Sequence, residues 1–436
     1  MANTQKEIIF DPKDFINPPY WNCPKCQAHG SFGVLSIGVL SYRRRCKSCL
    51  FSETYSLPQL NKKVIYLDQM AVSEMMKALN SGNKANKEGK VDPYWKILFE
   101  KLETLSKLQL IVCPDSEFHN RESTLSGFKE DLEKMYKLLS GGIHFRMKNQ
   151  ITESQLFFHF EQWLSGNDNP DFHFNAADVV DGEYNKWDEK IFITVTLPIQ
   201  DEHVKLLRDS RDETSQQLWA LADYWKSQGE RKLNDFYETE WSSFGKTHLE
   251  RYYQNYRRLQ EIENLPEAKG SFEDYLPNES VTLINKLILI LKLKGWDETR
   301  ATQKVIEYLN SPSLKNIPFL KISSFLYATL ARKFSSGGRN KPPGQGTITD
   351  FNIISTYIPY CDAMFIDNEC HSYLQENPLK VEVQNMAKTF SKNNREEFLV
   401  YLDQIKSEIP VEHYEKVKEV YGEGWEHPYF EIFEKN

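Results

Sequence analysis

Residues 359–374 read PYCDAMFIDNECHSYL, with Asp362 and Asp367 bracketing the apolar run Ala363-Met364-Phe365-Ile366. A short apolar run of this kind, closed by an acid and followed by a helical pattern, predicts a buried strand. A carboxylate taken out of water needs a partner. The two acids therefore raise the question of what they share. A second stretch, KVIYLDQMAVSEMMKAL at 63–79, has the same form. Val64 to Leu67 predict a strand, Asp68 ends it, and Met70, Val72, Met75, Met76 and Leu79 recur at helical spacing. An acid at the carboxyl end of a strand is where open α/β sheets place their chemistry. The same residue at that point is also an ordinary helix N-cap.

Between these stretches lies a helix–strand unit. The pattern predicts a helix over Tyr94–Lys107, a strand over Gln109–Cys113, and a new helix opened by Asp115-Ser116. Ser116, His119 and Glu122 recur at threes and share a face, while Glu117 points elsewhere. Alternation of helix and strand predicts a parallel sheet. Residues 332–346 form a basic loop rich in Gly and Pro. Thr349 or Asp350 is expected to cap a helix through about Tyr357. A short helix follows Asp367, Lys380–Val383 reads as a last strand, and 393–421 as a helical tail.

The segment from about 124 to 335 is mostly helical in pattern. Its expected helices are 128–140 (ending at Gly141-Gly142), 151–164, an aromatic-rich 213–264, 279–294, 297–310 and 317–334. One alternating segment, IFITVTLPI at 191–199, reads as a strand. The aromatic stripe fits helical core rather than a ligand box.

Near the N-terminus, Cys23-Pro-Lys-Cys26 is followed after 19 residues by Cys46-Lys-Ser-Cys49. Two such knuckles on a hairpin, with Gly33 and Gly38 at its turns, predict a four-thiolate structural zinc site without an open coordination position. Arg43, Arg44, Arg45 and Lys47 crowd one knuckle beside Tyr20, Trp21 and Tyr42. Basic and aromatic side chains together suit phosphate contact and base stacking. They equally suit a face docked on the rest of the protein.

The 436 residues carry a net charge of −8 and seven cysteines. That charge argues against an overall basic nucleic-acid binder but not against local basic patches. The odd cysteine count does not suggest a disulfide framework. MANTQKEIIFDPKDF lacks the apolar core of a secretory leader. The longest apolar run, LINKLILILKLKG at 283–295, is too short and too charged to span a bilayer. A cytoplasmic protein with no membrane partner is the expectation.

The acids collected from separate segments are Asp68, Glu122, Asp350, Asp362 and Asp367. Clustered carboxylates repel one another unless cations neutralise them. Oxygen-only clusters suit Mg²⁺ or Mn²⁺, and such ions support phosphodiester hydrolysis. The chain has no P-loop, no dinucleotide fingerprint and no Ser-His-Asp pattern.

At VIYLDQ, CPDSEFHNRE and TDFNIISTYIPYCDAMFIDNE the sequence resembles the PIN-domain nucleases. The resemblance implies an α/β fold, a PIN-like parallel sheet flanked by helices. Here it would be joined to an N-terminal zinc ribbon (1–58) and split into 61–123 and 336–436 by a helical insertion (124–335). It implies a metal-dependent endonuclease, with RNA favoured over DNA. Asp68, Glu122, Asp350 and Asp367 would hold Mg or Mn, with Glu117 in reserve for Glu122. Asp362 would be a further ligand or would orient the attacking water. His119, Arg339 and Lys341 are candidate phosphate contacts. By analogy, the large insertion fits a toxin or antiviral-defence role and leaves room for a regulatory protein partner. The other readings are a structure-specific DNA nuclease and a nucleic-acid-binding scaffold with an inactive PIN-like centre.

Overall fold

A computed structural model of the protein describes residues 11–190, 201–263 and 277–433. Its first unit is an antiparallel meander of β1 (Asn17–Trp21), β2 (Phe32–Ile37), β3 (Ser41–Cys46) and β4 (Ser52–Ser56). Gly38 makes the β2–β3 turn. Gly33 instead lies inside β2, where β1 crosses it: a Cβ there would stand 2.5 Å from the Asn17 carbonyl oxygen. Only glycine permits that approach.

The chain continues with β5 (Lys63–Leu67), α1 (Gln69–Leu79), α2 (Lys84–Lys87), α3 (Tyr94–Lys107), β6 (Ile111–Val112), α4 (Glu117–Leu125) and α5 (Lys129–Ser140). Next come β7 (His144–Phe145), α6 (Lys148–Leu164), β8 (Val180–Asp181), α7 (Asp201–Ser227), α8 (Leu233–Glu263), α9 (Glu279–Leu293), α10 (Glu298–Leu309) and α11 (Pro318–Ser335). The last elements are α12 (Thr347–Tyr357), β9 (Ala363–Phe365), α13 (Asn368–Leu374), α14 (Leu379–Val383), β10 (Lys388–Phe390), α15 (Arg395–Ser407) and α16 (Val411–Tyr421).

The central sheet runs β10–β9–β5–β6, parallel throughout. Both faces are covered, as parallel sheets require. Successive residues of a strand face opposite sides. Val64, Tyr66, Met364 and Ile366 join a core with α11, α12 and α13. Ile65, Leu67, Ala363 and Phe365 join a second core with α1, α3, α5 and α15. An acid placed just after β5 or β9 is thus held rigidly at the carboxyl edge of the sheet.

The helical insertion has a core of its own, built by Phe160, Leu287, Val305, Tyr308 and their neighbours from α6, α8, α9 and α10. It also contributes to the sheet's cover: Leu218, Trp225 and Tyr237 pack with α11 in the first sheet core, and Tyr237 stacks on Phe325 at 3.9 Å. The aromatic stripe is therefore helical core, split into α7 and α8 at Gly229, whose φ is +67°. The segment 191–199 lies outside the described residues.

Two local expectations are corrected. Lys380–Val383 is part of α14, a short helix that buries Leu379 and Val383 at i and i+4. The last strand is β10, only three residues long. α12 begins at Thr347 with Gly346 as its N-cap, so Asp350 lies in its first turn rather than at the cap. No helix among the described residues is long and apolar enough to cross a membrane.

Candidate metal centre

Asp68 and Asp367 occupy matching places. Each stands just beyond the end of its strand and caps the next helix. Asp68 Oδ1 accepts from the Met70 amide at 3.4 Å. Asp367 Oδ1 accepts from the Glu369 and Cys370 amides at 2.7 and 3.0 Å. Each carboxylate therefore caps its helix through Oδ1 and leaves Oδ2 outside the cap. Asp367 Oδ2 is buried without a hydrogen-bond partner. A buried carboxylate oxygen left unpaired is costly.

Asp350 comes to the same place from α12. Donor atoms of Asp350, Asp367 and Cys370 all lie within 4.8 Å of one another. Asp68 and Glu122 flank them. The Asp68 carboxyl is pushed up to about 6, first by burial and then by the charge of Asp367. Glu122 is pushed up to about 7, by burial and then by Asp68. Asp350 is raised by burial and by the charges of Asp68, Asp367 and Glu122. Four acids are thus close enough to repel one another, and all four are half-buried.

This donor set fits a hard divalent cation: oxygens dominate, charge is in surplus, and one oxygen has no partner. Cys370, which the sequence reading did not single out, is buried. Burial and the charge of Asp367 hold its thiol in the protonated form, and its backbone amide donates to Asp367 Oδ1. It is the residue at N3 of the helix that Asp367 caps. Its spacing from Asp367 was the one signal in the sequence that could have revealed it.

Glu122 and Glu117 are separated by their contacts. Glu117 Oε1 accepts from the Lys148 amide at 2.6 Å, capping α6. Glu122 faces the acids.

His119, read from the sequence as a phosphate contact, is enclosed by the protein. It is buried between the rings of Tyr66 and Tyr136, at 4.9 and 4.7 Å between centroids. Burial lowers its pKa to about 4, so the ring is neutral. Nδ1 accepts from the Ser116 amide at 3.1 Å, and Nε2 donates to the Leu67 carbonyl at 2.9 Å. It therefore ties α4, which carries Glu122, to the residue just before Asp68.

Asp362 is not brought to the centre. It precedes β9, so it lies at the amino edge of a parallel sheet whose acids leave from the carboxyl edge. There Oδ2 accepts from the Val64 amide at 2.8 Å, and Oδ1 pairs with Lys63 at 2.9 Å. Arg339 is occupied as well: it pairs with Glu369, donates to the Tyr373 hydroxyl and to backbone carbonyls of its own loop. Lys341 is exposed on that loop.

In the N-terminal unit the four cysteines are unpaired by disulfides, and their sulfurs lie within 4.8 Å of one another. Cys23–Cys49 and Cys26–Cys46 are each 3.7 Å apart. Four thiolates at about 2.3 Å from one zinc stand about 3.8 Å apart at tetrahedral corners. The donor set and spacing fit structural zinc.

The basic run behind this site divides. Arg44 is fully buried, donates to the carbonyls of Pro19, Phe32 and Glu419, and lies 3.3 Å from the Trp21 ring centroid. It fastens the unit to α16 and is not available to phosphate. Lys47 donates to the Tyr20 hydroxyl at 2.7 Å. Arg43 is exposed and Arg45 half-buried.

Compared with family models, curated proteins and solved structures, the chain has no match in any of the three.

Proposed function

We propose that the protein is a metal-dependent, PIN-like endonuclease that hydrolyses phosphodiester bonds, with RNA as its substrate. The observation that carries this reading is the orphaned Asp367 Oδ2 among three further acids at one sheet edge. Asp68, Glu122, Asp350 and Asp367 would hold Mg²⁺ or Mn²⁺. Such an ion supplies activation of water and neutralisation of charge on the cleaved phosphate. The chain's own part is positional. β5 and β9 fix two carboxylates on neighbouring strands, and His119 holds α4 against the end of β5. The choice of RNA rests on the resemblance of the three acidic motifs to that family.

The test is incubation of the pure chain with Mn²⁺ and panels of single-stranded, structured and duplex RNA and DNA. Cleavage abolished by chelator and by Asp367→Asn is expected. A chain that cuts none of the panel, or an Asp367→Asn chain that cuts as well as the parent, would overturn the reading.

A further inference from the structure

Two adjoining cavities lead away from the acids. The first, of about 360 Å³, is lined by Gln69, Glu122, Gly346 and Thr349 together with Arg121 and Arg211. The second, of about 530 Å³, shares Phe118 and Arg121 with the first and continues past Lys148 to Phe244 on α8 and Thr282 on α9. Together they make a groove from the acid centre into the helical insertion.

Its cations are largely unspent. Arg121 is exposed, and neither it nor the half-buried Lys148 ammonium has a hydrogen bond or ion pair among the described residues. Arg211 makes only a loose contact with its neighbour Asp212, at 3.7 Å. Two of the groove's acids are occupied: Glu153 pairs with Lys286 at 2.6 Å, and Glu117 caps α6. Glu279 is left facing Lys148. Arg121 and Arg211 both act on the Glu122 carboxyl, and Arg121 also acts on Lys148. The three cations therefore line the two adjoining cavities, Arg211 in the first, Lys148 in the second and Arg121 in both, with Glu122 beside Arg121 in the first. Exposed guanidinium groups beside a carboxylate centre are free to take an anion from solvent.

We propose that this groove is the track for a single-stranded polynucleotide, with Arg121, Lys148 and Arg211 on successive phosphates and Phe244 offering a ring to a base. The proposal rests on the nuclease reading of the acid centre. Each cavity is of the size that takes one small ligand, and helices wall the groove on the insertion side, which favours a single strand over a duplex. Backbone phosphates on cations with bases on aromatic faces is the general solution for single strands.

The test is fluorescence anisotropy with the full chain carrying Asp68→Asn, so that bound strands stay intact. The probes are a labelled 12-residue RNA, its DNA equivalent and the RNA duplex. Arg121→Glu, Arg211→Glu and Lys148→Ala should each weaken single-strand binding about 10-fold. Each should also flatten the slope of log affinity against log salt by about 0.7 for every phosphate no longer neutralised. Arg211→Lys should restore the slope. The Mn²⁺-dependent rise in melting temperature, measured with Asp68 intact, should survive in Arg211→Glu and Lys148→Ala, which separates removal of a cation from damage to the fold. Tighter RNA than DNA assigns the ribose hydroxyl to the groove as well, and equal affinity assigns the backbone alone; either supports the track. Unchanged affinity and slope in Arg211→Glu and Lys148→Ala, or a duplex bound as tightly as the strand, overturns it. If the groove is wrong but the nuclease right, cleavage still depends on Asp68 while these variants bind normally. If the nuclease is wrong, nothing is cut, yet the variants still lose the strand.

Discussion

The Asp68 amide donates to the Phe365 carbonyl at 2.9 Å, two residues before Asp367. Through this bond, and the pairing of Leu67 with Phe365, two carboxylates from distant parts of the chain leave adjacent parallel strands at one edge. Neither can move without breaking the sheet, so the repulsion between them is built in.

Neutralising one of them should therefore separate chemistry from stability. Asp68→Asn and Asp367→Asn keep the cap acceptor and the volume. Each should lower cleavage at least ~100-fold. Metal-free, each should melt no lower than the parent, since one repelling charge is gone. Rate assays and thermal melts in chelator check both halves.

The raised carboxyls give stability a pH dependence with a definite sign. Asp68 sits at about 6 and Glu122 at about 7, above the ordinary carboxyl range near 4. The folded chain thus binds these protons more tightly than the unfolded chain. Their stabilisation is complete below about pH 4 and is lost as pH rises through 6 and 7. Mg²⁺ or Mn²⁺ bound at the proposed centre would replace the protons. The rise in melting temperature on adding Mn²⁺ should accordingly be larger at pH 7.5 than at pH 5. An equal rise at both would mean that the ion binds elsewhere.

Glu122 and Glu117 differ in task and should differ in consequence. Glu122→Gln should abolish cleavage with little change in melting. Glu117→Ala should remove the cap of α6 and cost ~1 kcal/mol. Denaturant titration beside a cleavage assay distinguishes them.

His119→Ala should damage the centre without touching substrate. It leaves the Ser116 amide and the Leu67 carbonyl without their partner and opens a gap between Tyr66 and Tyr136, a loss of about 2–4 kcal/mol. Weakened Mn²⁺ binding, read by the melting shift, should accompany it.

Arg44→Ala should loosen the four-cysteine unit from α16, leaving three carbonyls unsatisfied, and cost about 2–4 kcal/mol. Arg43→Ala should cost within ~0.5 kcal/mol, as exposed positions do. Zinc content by elemental analysis should stay at one per chain in both.

Much of this was readable in the sequence where one residue's neighbours along the chain dictate its setting. Val64–Leu67 and Ala363–Ile366 are apolar on both faces, so strands buried on both sides followed, and the acids after them marked the carboxyl edge. What failed was burial of charge. Arg44, His119 and Arg339 look like surface phosphate ligands in a string of letters, and only the packed chain shows the carbonyls and carboxylates that occupy them. Asp362 looked equivalent to Asp367 because the string does not say which edge of the sheet a residue leaves. Lys380–Val383 alternates like a strand, yet Leu379 and Val383 also satisfy a helical turn, and the true edge strand is too short to carry any period.

Asp68 and Glu122 precede the helical insertion and Asp350 and Asp367 follow it, while β9 fills the place between β5 and β10. During synthesis a chain folds from its N-terminal side. The first pair of acids therefore leaves the ribosome long before the second pair exists, on a sheet that still lacks both β9 and β10. An unfinished chain holds half a centre and no way to close it. In the nuclease proposed above, the order of the elements would work as a safety catch, withholding the second pair of acids until the insertion has been made.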